Sequence, residues 1–499
     1  MTKESSHTTS HPVAESGDGG AFHRESFEPP RASHGKDPTT TPQEMELMLK
    51  RRVWLYGSLS VFLIVVIYLF MNDPGGYIYR LTGDVSNLRL SGLIVYSSIV
   101  AFALFLFFAI LRYFLLLFAA YLNTVRHTVR ASFDEGFTPP ISVIVPAYNE
   151  GVLLEDTVQS LLSLDYPHYE IILVDDGSTD NTREIARSMV GIYDNGRVEV
   201  RLVEKPNGGK ATALNAGIQI AKYDFLLNVD GDSRLSPDTL RKTIRHFTNP
   251  HIGAVAGNVK VLNRVNFWTT LQALEYVQGL NMARSAQSIL RLVNIIPGPL
   301  GLFRKEAIVD AGWYASDTYA EDADLTLQIL RKGWRVEYEP DAISYTEAPD
   351  TLTALLKQRY RWTRGILQAI RKHSELIFNP TINISGTFVM WTMAFEALIG
   401  PVMGMFAPLY FIVIALTFDM SYFIVLWWLS LTVLDVIAAL YCVAVEKEEV
   451  RLIFYSLVSR VVFILFIDVA KTLATIEEFL RLSMNWGKLE RVGAEAKNR

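Results

Sequence analysis

Hydrophobic positions follow three patterns along the chain, and each pattern predicts a different kind of structure. Two long apolar runs come first, at residues 53–71 and 92–122. From residue 139 to residue 349 the apolar runs are short, rich in β-branched residues, and alternate with amphipathic stretches. Long apolar blocks then return and continue to about residue 473. The short alternating runs predict a globular domain, whereas the long runs predict helices in a membrane.

The middle segment, residues 136–350, predicts an α/β domain. Its β-branched runs predict strands at 141–145, 171–174, 198–203, 225–229 and 254–261. The amphipathic stretches predict helices at 155–164, 181–190, 211–216, 266–292 and 325–330. This alternation is typical of a mostly parallel, Rossmann-like sheet. Three of the strands stop at acidic or polar residues, as buried parallel strands do when their carboxyl ends carry ligand-binding groups.

The apolar runs before this domain predict a transmembrane hairpin within residues 46–135. Both runs are long enough to span a bilayer, and two buried core helices fit these lengths poorly. Positive charge flanks the outer ends of the hairpin, at Arg51 and Arg52 on one side and at Arg126 and Arg130 on the other. This distribution predicts that both ends, and the domain that follows, are cytoplasmic at an inner or plasma membrane.

The segments after the domain predict further contact with lipid. Residues 351–380 predict a basic amphipathic helix, a type that lies well on an anionic membrane surface. Residues 381–482 predict about three transmembrane or interfacial helices, which makes a multi-pass protein. The ends, residues 1–45 and 483–499, are predicted as tails; the first is rich in Ser, Thr, His, Gly and Pro and has no apolar period.

Composition changes this picture little. Half of the 499 residues are hydrophobic, and the net charge is only -5. Without a global basic field, nucleic acid is not expected as a partner. Cys442 is the only cysteine, so no disulfide can form within the chain.

Acidic residues at strand ends are the first candidates for chemistry. Asp230 and Asp232 follow the apolar run at 225–229 and are one residue apart. Such a pair offers hard oxygen ligands to Mg²⁺ or Mn²⁺, although an acidic turn is the simpler interpretation of the pair alone. Asp175 and Asp176 end another predicted strand, and converging carboxylates require a cation or cationic partners.

Other candidates have simple structural interpretations beside the functional ones. Lys210 follows Gly208 and Gly209 and could meet a phosphate, or simply follow a turn. The Gly298–Gly301 segment could line a substrate groove or form a turn. Glu321 and Asp322 precede a predicted helix, so Asp322 could cap that helix or act as a general base that accepts a hydroxyl proton.

The third candidate set lies on the basic helix. Gln358 and Arg361 are three residues apart, a spacing that places them on one helix face, and Trp362 follows. An arginine can grip a diphosphate, and a tryptophan can stack on a sugar. A membrane-surface helix alone explains the arginines but not the whole set.

Together these segments resemble the inverting, often processive membrane glycosyltransferases of family 2, which synthesise cellulose, chitin, hyaluronan and poly-N-acetylglucosamine. The resemblance covers about residues 50–490, and it rests on the order and spacing of several motifs. These are Pro146-Ala-Tyr-Asn-Glu150, Asp175-Asp176, Lys205-Pro-Asn-Gly-Gly-Lys210, Asp230-Gly-Asp232, Glu321-Asp322 and Gln358-Arg-Tyr-Arg-Trp362.

The resemblance implies a GT-A-like fold that binds a UDP-sugar, and it implies roles for the matching residues. Glu321 and Asp322 would be catalytic, with Asp322 deprotonating the acceptor hydroxyl. Asp230 and Asp232 would hold Mg²⁺ or Mn²⁺ and, through it, the diphosphate. The substrate-binding residues would be Pro146, Tyr148, Glu150, Asp175, Asp176, Lys210, Asp230, Gly298, Pro299, Leu300, Gln358, Arg361 and Trp362. Attack on an α-linked donor would give a β-linkage.

The motifs leave the product open. The segments 208–215 and 345–349 are most similar to poly-N-acetylglucosamine synthases, Gly298-Pro-Leu to chitin and hyaluronan synthases, and Trp362-Thr-Arg-Gly365 to cellulose synthases. Three hypotheses follow: a polysaccharide synthase that also exports its chain, an enzyme that adds one sugar to a lipid, and an inactive membrane scaffold. The first predicts a UDP-sugar donor with UDP-GlcNAc as the best guess, a polysaccharide acceptor, and export or accessory membrane proteins as possible partners. The complete acidic set disfavours the third.

Overall fold

A computed structural model describes residues 89–130, 136–381, 383–417 and 421–482. The first predicted span at 53–71 and the predicted tails at 1–45 and 483–499 lie outside the described residues. The second predicted span lies within one continuous helix of 42 residues, α1 (Arg89–Arg130).

A nine-stranded sheet forms the middle segment. The strands are β1 (Ile141–Ala147), β2 (Tyr169–Asp175), β3 (Gly191–Tyr193), β4 (Val198–Glu204), β5 (Phe225–Asn228), β6 (Ser233–Leu235), β7 (Ile252–Val261), β8 (Gly301–Arg304) and β9 (Arg335–Thr346). Their order in the sheet is β3-β4-β2-β1-β5-β8-β7-β9-β6.

The prediction of a mostly parallel sheet is wrong, because the sheet is mixed. Four neighbouring pairs are parallel and four are antiparallel. The parallel half, β4-β2-β1-β5, consists of the strands with the plainest β-branched runs. The difference arises at β8, which follows the turn at Gly298 and Pro299 and runs antiparallel between β5 and β7. The GT-A-like α/β class holds with this mixed sheet.

Both faces of the sheet are buried, as expected for a sheet between helices. Ile144, Ile172 and Leu226 pack in a hydrophobic cluster on one face. Their chain neighbours Val143 and Ile171 belong to the cluster on the other face, which follows from the alternation of side chains along a strand.

The helices of the described domain include the five predicted segments with small changes at the ends, whereas those at Thr239–Ile244 and Lys305–Ala311 were not predicted. They are α2 (Leu154–Leu162), α3 (Thr182–Ser188), α4 (Lys210–Ile220), α5 (Thr239–Ile244), α6 (Phe267–Glu275), α7 (Met282–Ile289), α8 (Lys305–Ala311) and α9 (Glu321–Arg331). The predicted helix at 266–292 is α6 and α7, joined by a π-helical segment, Tyr276–Asn281. Such segments are frequent at functional sites.

The remaining helices follow the sheet. They are α10 (Leu352–Lys372), α11 (Glu375–Phe378), α12 (Ile384–Ala394), α13 (Gly400–Thr417), α14 (Ser421–Val445), α15 (Arg451–Val458) and α16 (Leu465–Phe479). π-helical turns join α12 to α13 and α15 to α16. Within the described residues, two helical stretches are long and apolar enough to cross a membrane, Ile384–Tyr410 and Arg451–Phe479.

Helix α10 packs against α16 through charged groups, which changes the interpretation of its basic face. Arg364 is buried; its Nε donates to Glu478 at 2.9 Å and its Nη2 to the carbonyl of Leu482 at 2.6 Å. Arg359 is also buried. These two charges therefore serve contacts within the protein.

Candidate active site

The carboxyl end of β2 organises the glycine loop before α4. The Asp176 carboxylate accepts hydrogen bonds from the backbone N–H groups of Gly208 at 3.0 Å and Gly209 at 2.8 Å, and it pairs with Lys205. Asp175 accepts from Arg183 Nε at 2.9 Å and is fully buried. Both carboxylates therefore shape the loop and the strand end through bonds within the protein.

Lys210 is brought to the centre of the site at the start of α4. Its Nζ lies 2.6 Å from Oδ1 of Asp230, which follows β5, and 3.3 Å from Oε1 of Glu321, the first residue of α9. Burial alone would lower the pKa of Lys210, but the Asp230 and Glu321 carboxylates raise it above its usual range. Three predicted residues from separate motifs thus meet, with two carboxylates around one lysine.

Gly298 covers this ion pair. A Cβ at Gly298 would lie 2.5 Å from Nζ of Lys210 and 2.8 Å from Oδ2 of Asp230. Only a glycine permits this approach without displacing the pair. The predicted substrate-groove turn therefore contacts the acidic site directly.

Asp322 follows Glu321 in the first turn of α9. Burial raises the pKa of the Asp322 carboxyl to about 6, and the neighbouring Glu321 adds to the effect, while Lys210 opposes it. A carboxylate with a raised pKa is a stronger proton acceptor than an ordinary aspartate and is still mainly ionised at neutral pH. The environment of Asp322 suits a general base.

Asp232 lies two residues after Asp230 and is buried next to β6. Its Oδ1 accepts from Ser233 Oγ at 3.2 Å and faces Thr346 Oγ1 at 3.5 Å. Gly231, between the two aspartates, packs against the Pro146 carbonyl and the Glu150 side chain, 3.2 and 3.4 Å from the position of a Cβ. A pair of carboxylates at a strand end fits the oxygen ligands that Mg²⁺ and Mn²⁺ take beside a diphosphate.

Trp362 is held by Arg359, a residue that the motif leaves unspecified. The Arg359 guanidinium lies 4.2 Å from the centre of the Trp362 ring, pairs with Glu275 of α6, and donates to the Gln358 amide oxygen. Arg361 is exposed on the other side of the helix, whereas Gln358 is buried. Gln358 and Trp362 are thus fixed by one buried cation, and Arg361 is open to solvent.

Three other predicted substrate-binding residues, Leu300, Tyr148 and Pro299, differ in how exposed they are. Leu300 is fully buried, and Gly257 accommodates its side chain, with a Cβ position 1.9 Å from Leu300 Cδ2. The buried side chain leaves the backbone of Leu300 for the proposed substrate contact, and its place in the substrate site stays a prediction. Tyr148 and Pro299 are partly exposed near the strand ends.

A cavity of about 500 Å³ lies beyond Trp362. Residues from α1, the π-helical segment, α7, α10, α14 and α16 line it, among them Tyr113, Gln278, Arg284, Trp362, Asp435 and Lys471. Arg460 and Asp435 form a bidentate pair on its wall at 2.6 and 2.7 Å, and Arg112 pairs with Glu396. The cavity therefore combines apolar helices with charged and polar groups.

A histidine and glutamate cluster lies apart from these residues. Ligand atoms of His127, His246 and Glu339 fall within 4.8 Å of one another. Burial would lower the pKa of His246, but hydrogen bonds to Glu337 at 2.6 Å and Glu339 at 2.8 Å raise it to about 9. The imidazolium and Arg245, 2.7 Å from Glu339, already neutralise the carboxylates, so the cluster is an ion-pair network that joins α1 to the sheet.

Sequence reasoning missed Arg359, Glu275 and Arg284. Arg359 was counted in the basic face of α10, and its position inside the Gln358–Trp362 motif was the available signal. Glu275 and Arg284 lie on the predicted helix at 266–292, whose amphipathic period does not show which polar residues face a cavity.

Comparison with known proteins agrees with this geometry. The profile of the family "Glycosyltransferase like family 2" matches residues 139–365. A poly-β-1,6-N-acetyl-D-glucosamine synthase of Staphylococcus aureus (strain COL) is 36% identical over 226 residues, 45% of this chain and 54% of that protein. The corresponding synthase of Staphylococcus epidermidis is 35% identical over 226 residues, which are again 45% of this chain and 54% of that protein. The chain thus spans about half the length of the curated relatives it matches.

Among solved structures, a mannosyltransferase from Pyrobaculum calidifontis in complex with GDP-Man and Mn²⁺ is 19% identical. It covers 73% of this chain and 96% of its own, with a TM-score of 0.48. The α/β domain of this chain belongs to the class of nucleotide-sugar transferases, because it combines a mixed sheet, acidic strand ends and the residues matched by the family profile. Residues 139–365 of this chain are a family 2 glycosyltransferase domain.

Proposed function

We propose that the chain is a membrane polysaccharide synthase that transfers N-acetylglucosamine from UDP-GlcNAc to the end of a growing β-linked chain, with inversion. The observation that carries the transfer reaction is the meeting of Lys210, Asp230 and Glu321 beside Asp322 under the Gly298 turn. The similarity to poly-β-1,6-N-acetyl-D-glucosamine synthases supports this choice of sugar.

In the proposed reaction, an acceptor hydroxyl loses its proton to the Asp322 carboxylate as its oxygen forms the new bond to the sugar C1. The bond between C1 and the diphosphate oxygen breaks, and its electron pair leaves with UDP. Lys210 lies where it can offset the charge on the diphosphate, and the exposed Arg361 guanidinium is proposed to act with it.

Asp230 and Asp232 would hold Mg²⁺ or Mn²⁺, which would offset diphosphate charge when bound. Lys210 pairs with Asp230, so the chain itself supplies one cation to the strand end. Glu150, Asp175 and Asp176 remain proposed residues of the uridine side. For Asp175 and Asp176 the internal hydrogen bonds support an indirect role, in which they hold the loop that the nucleotide contacts.

The cavity beyond Trp362 supports coupled export. Paired charges in helices that we propose to lie in a bilayer support a polar path, since such groups are costly in lipid. The Arg460–Asp435 and Arg112–Glu396 pairs line the cavity that Trp362 also lines, and Trp362 is the residue proposed to stack on the acceptor sugar. This arrangement favours a polysaccharide synthase, with a cytoplasmic domain attached to several membrane helices, over an enzyme that adds a single sugar to a lipid.

A donor screen tests the proposal. Membranes that contain the full chain are given labelled UDP-GlcNAc, UDP-glucose and UDP-glucuronate, singly and in pairs, and the products are sized and tested for β-linkages. We expect a polymer from UDP-GlcNAc alone. A requirement for two donors, or a product that is a lipid carrying one sugar, would refute the proposed function.

A further inference from the structure

The cavity beyond Trp362 contains a buried arginine that lacks a carboxylate partner within the described part of the chain. Three other arginines on its wall are paired: Arg359 with Glu275, Arg460 with Asp435, and Arg112 with Glu396. Arg284 of α7 is different. Its one described hydrogen bond runs from Nη1 to Oδ1 of Asn281, at 3.1 Å.

The burial of Arg284 makes this arrangement costly. The residue is only 9% exposed, and burial lowers the pKa of its guanidinium. A guanidinium has five N–H donors in a planar fork, and Asn281 accepts one of them. Arg284 lines the cavity, where its remaining donors can meet oxygen atoms of a ligand.

The position of Arg284 indicates which ligand this is. Arg284 lines the cavity with Trp362, Gln287 and Asn294, whereas Lys210 and Asp230, proposed for the donor diphosphate, do not line it. Asp322 is nevertheless near enough for its charge to act on the Arg284 guanidinium. Arg284 is therefore in the wall of the same cavity as Trp362, on the side proposed for the acceptor.

We infer that Arg284 binds oxygen atoms of the acceptor saccharide and selects an uncharged, N-acetylated chain over one with free amino groups. This inference rests on the proposed function and names the acceptor of the same site. Carbonyl and hydroxyl oxygens of N-acetylated sugars can accept from the guanidinium. The ammonium group of a deacetylated sugar offers only donors, and its positive charge is repelled by the Arg284 guanidinium.

Equilibrium binding tests the inference independently of turnover. The full-length protein, purified in detergent, is titrated with β-linked oligosaccharides of equal length that are either fully N-acetylated or fully deacetylated. We compare wild type, Arg284→Met, Arg284→Lys and the control Arg291→Gln. Arg291 lies just beyond α7, pairs with Glu337 at 2.9 Å, and is not part of the cavity wall.

The inference predicts tighter binding of the acetylated oligomer by wild type and by Arg291→Gln. Arg284→Met should weaken that binding roughly ten- to hundredfold, the range expected for hydrogen bonds from a charged group, and should reduce the discrimination against the deacetylated oligomer. Arg284→Lys should bind the acetylated oligomer with intermediate strength, because it keeps the charge and loses the fork.

Thermal unfolding separates this role from a structural one. Because Arg284 lacks a described carboxylate partner, Arg284→Met should unfold at the same temperature as wild type or at a higher one. Earlier unfolding with unchanged oligosaccharide binding would overturn the inference, as would failure of wild type to bind the acetylated oligomer. A polymer built from another donor would refute the proposed function instead, and the donor screen detects that outcome separately.

Discussion

The Arg359 guanidinium lies 4.2 Å from the centre of the Trp362 ring and pairs with Glu275 on a different helix. Arg359 is 2% exposed, so this contact fixes the ring from within the protein. The indole is thereby held in the wall of the cavity, where the proposed acceptor sugar would contact it. Arg359 is buried and Arg361 is exposed, so the two arginines of the motif have different roles.

Substitution of each arginine should separate these roles. Arg359→Gln leaves Glu275 without its partner and the Trp362 ring without its support. We expect it to lower the free energy of unfolding by about 2 kcal/mol, less than for a fully buried pair because Glu275 is partly exposed, and to reduce transfer as well.

Arg361→Gln removes an exposed guanidinium and should reduce transfer with little change in unfolding. Denaturant unfolding and initial rates of UDP release measure both effects. Equal stability of the two variants would contradict the division of roles.

Gly298→Ala should impair transfer through a steric effect. The added methyl group would contact Lys210 Nζ and Asp230 Oδ2 at 2.5 and 2.8 Å, so the ion pair must separate or the turn must move. We expect a large loss of turnover with normal amounts of protein in the membrane. Gly191→Ala on the edge strand β3 is the control, since its Cβ would meet only Tyr193 at 3.6 Å; a similar loss in both variants would refute a specific effect.

Trp362→Leu should reduce polymer formation far more than Trp362→Phe. A pyranose packs against a flat ring, and an aliphatic side chain lacks that face. If Trp362 were only a membrane anchor, both substitutions would be mild, because either side chain can lie at the acyl boundary. Polymer yield and UDP release should be measured together. Donor hydrolysis without polymer in Trp362→Leu would be the clearest support for acceptor stacking.

Asp232→Ala should abolish turnover of the UDP-sugar. Loss of one of two carboxylates at the strand end removes a proposed metal ligand beside the diphosphate, and catalysis depends on that charge compensation. The measurement is UDP release during titrations with Mg²⁺ and Mn²⁺, with circular dichroism as a control for folding. Near-normal turnover anywhere in either titration would reject the metal role of Asp232.

The parallel half of the sheet was predictable because β1, β2 and β5 are short, mainly apolar runs and β4 alternates between apolar and polar residues. Strand β9 was not predicted, because glutamates, a proline and an aspartate interrupt its apolar pattern. Two of those glutamates, Glu337 and Glu339, are buried through ion pairs with residues from distant segments. Local patterns cannot reveal partners of this kind, and the antiparallel entry of β8 is equally non-local.

The residues of the candidate site were likewise only partly predictable from the sequence. Asp230, Glu321 and Lys210 belong to three motifs, and the sequence predicted them together because the motifs resemble one family. Which residues contact one another was not predictable from spacing. Leu300 lies within a motif and is buried in the core, whereas Arg284 lies outside every motif and faces the cavity. A motif identifies a segment, and the packing of distant segments determines which side chains reach the substrate.

The pH dependence of transfer should reflect Asp322. The base must be ionised to accept a proton, and burial raises the pKa of Asp322 to about 6. Transfer should therefore be constant above that value and fall as the pH decreases through it. Initial rates at saturating UDP-GlcNAc between about pH 5 and 8 measure this profile, with protein stability followed over the same range. A rate that stays constant to below pH 5 would contradict a raised pKa.

The most direct test of the account is the rate at which Asp322→Asn incorporates N-acetylglucosamine from UDP-GlcNAc into polymer. The amide is nearly the same size but cannot take the acceptor proton, so we predict a loss of roughly 10²- to 10⁴-fold. Membrane levels and UDP binding should remain those of wild type. Polymer synthesis by Asp322→Asn at a rate comparable to wild type would contradict the assignment of Asp322 as the base and the mechanism built on it.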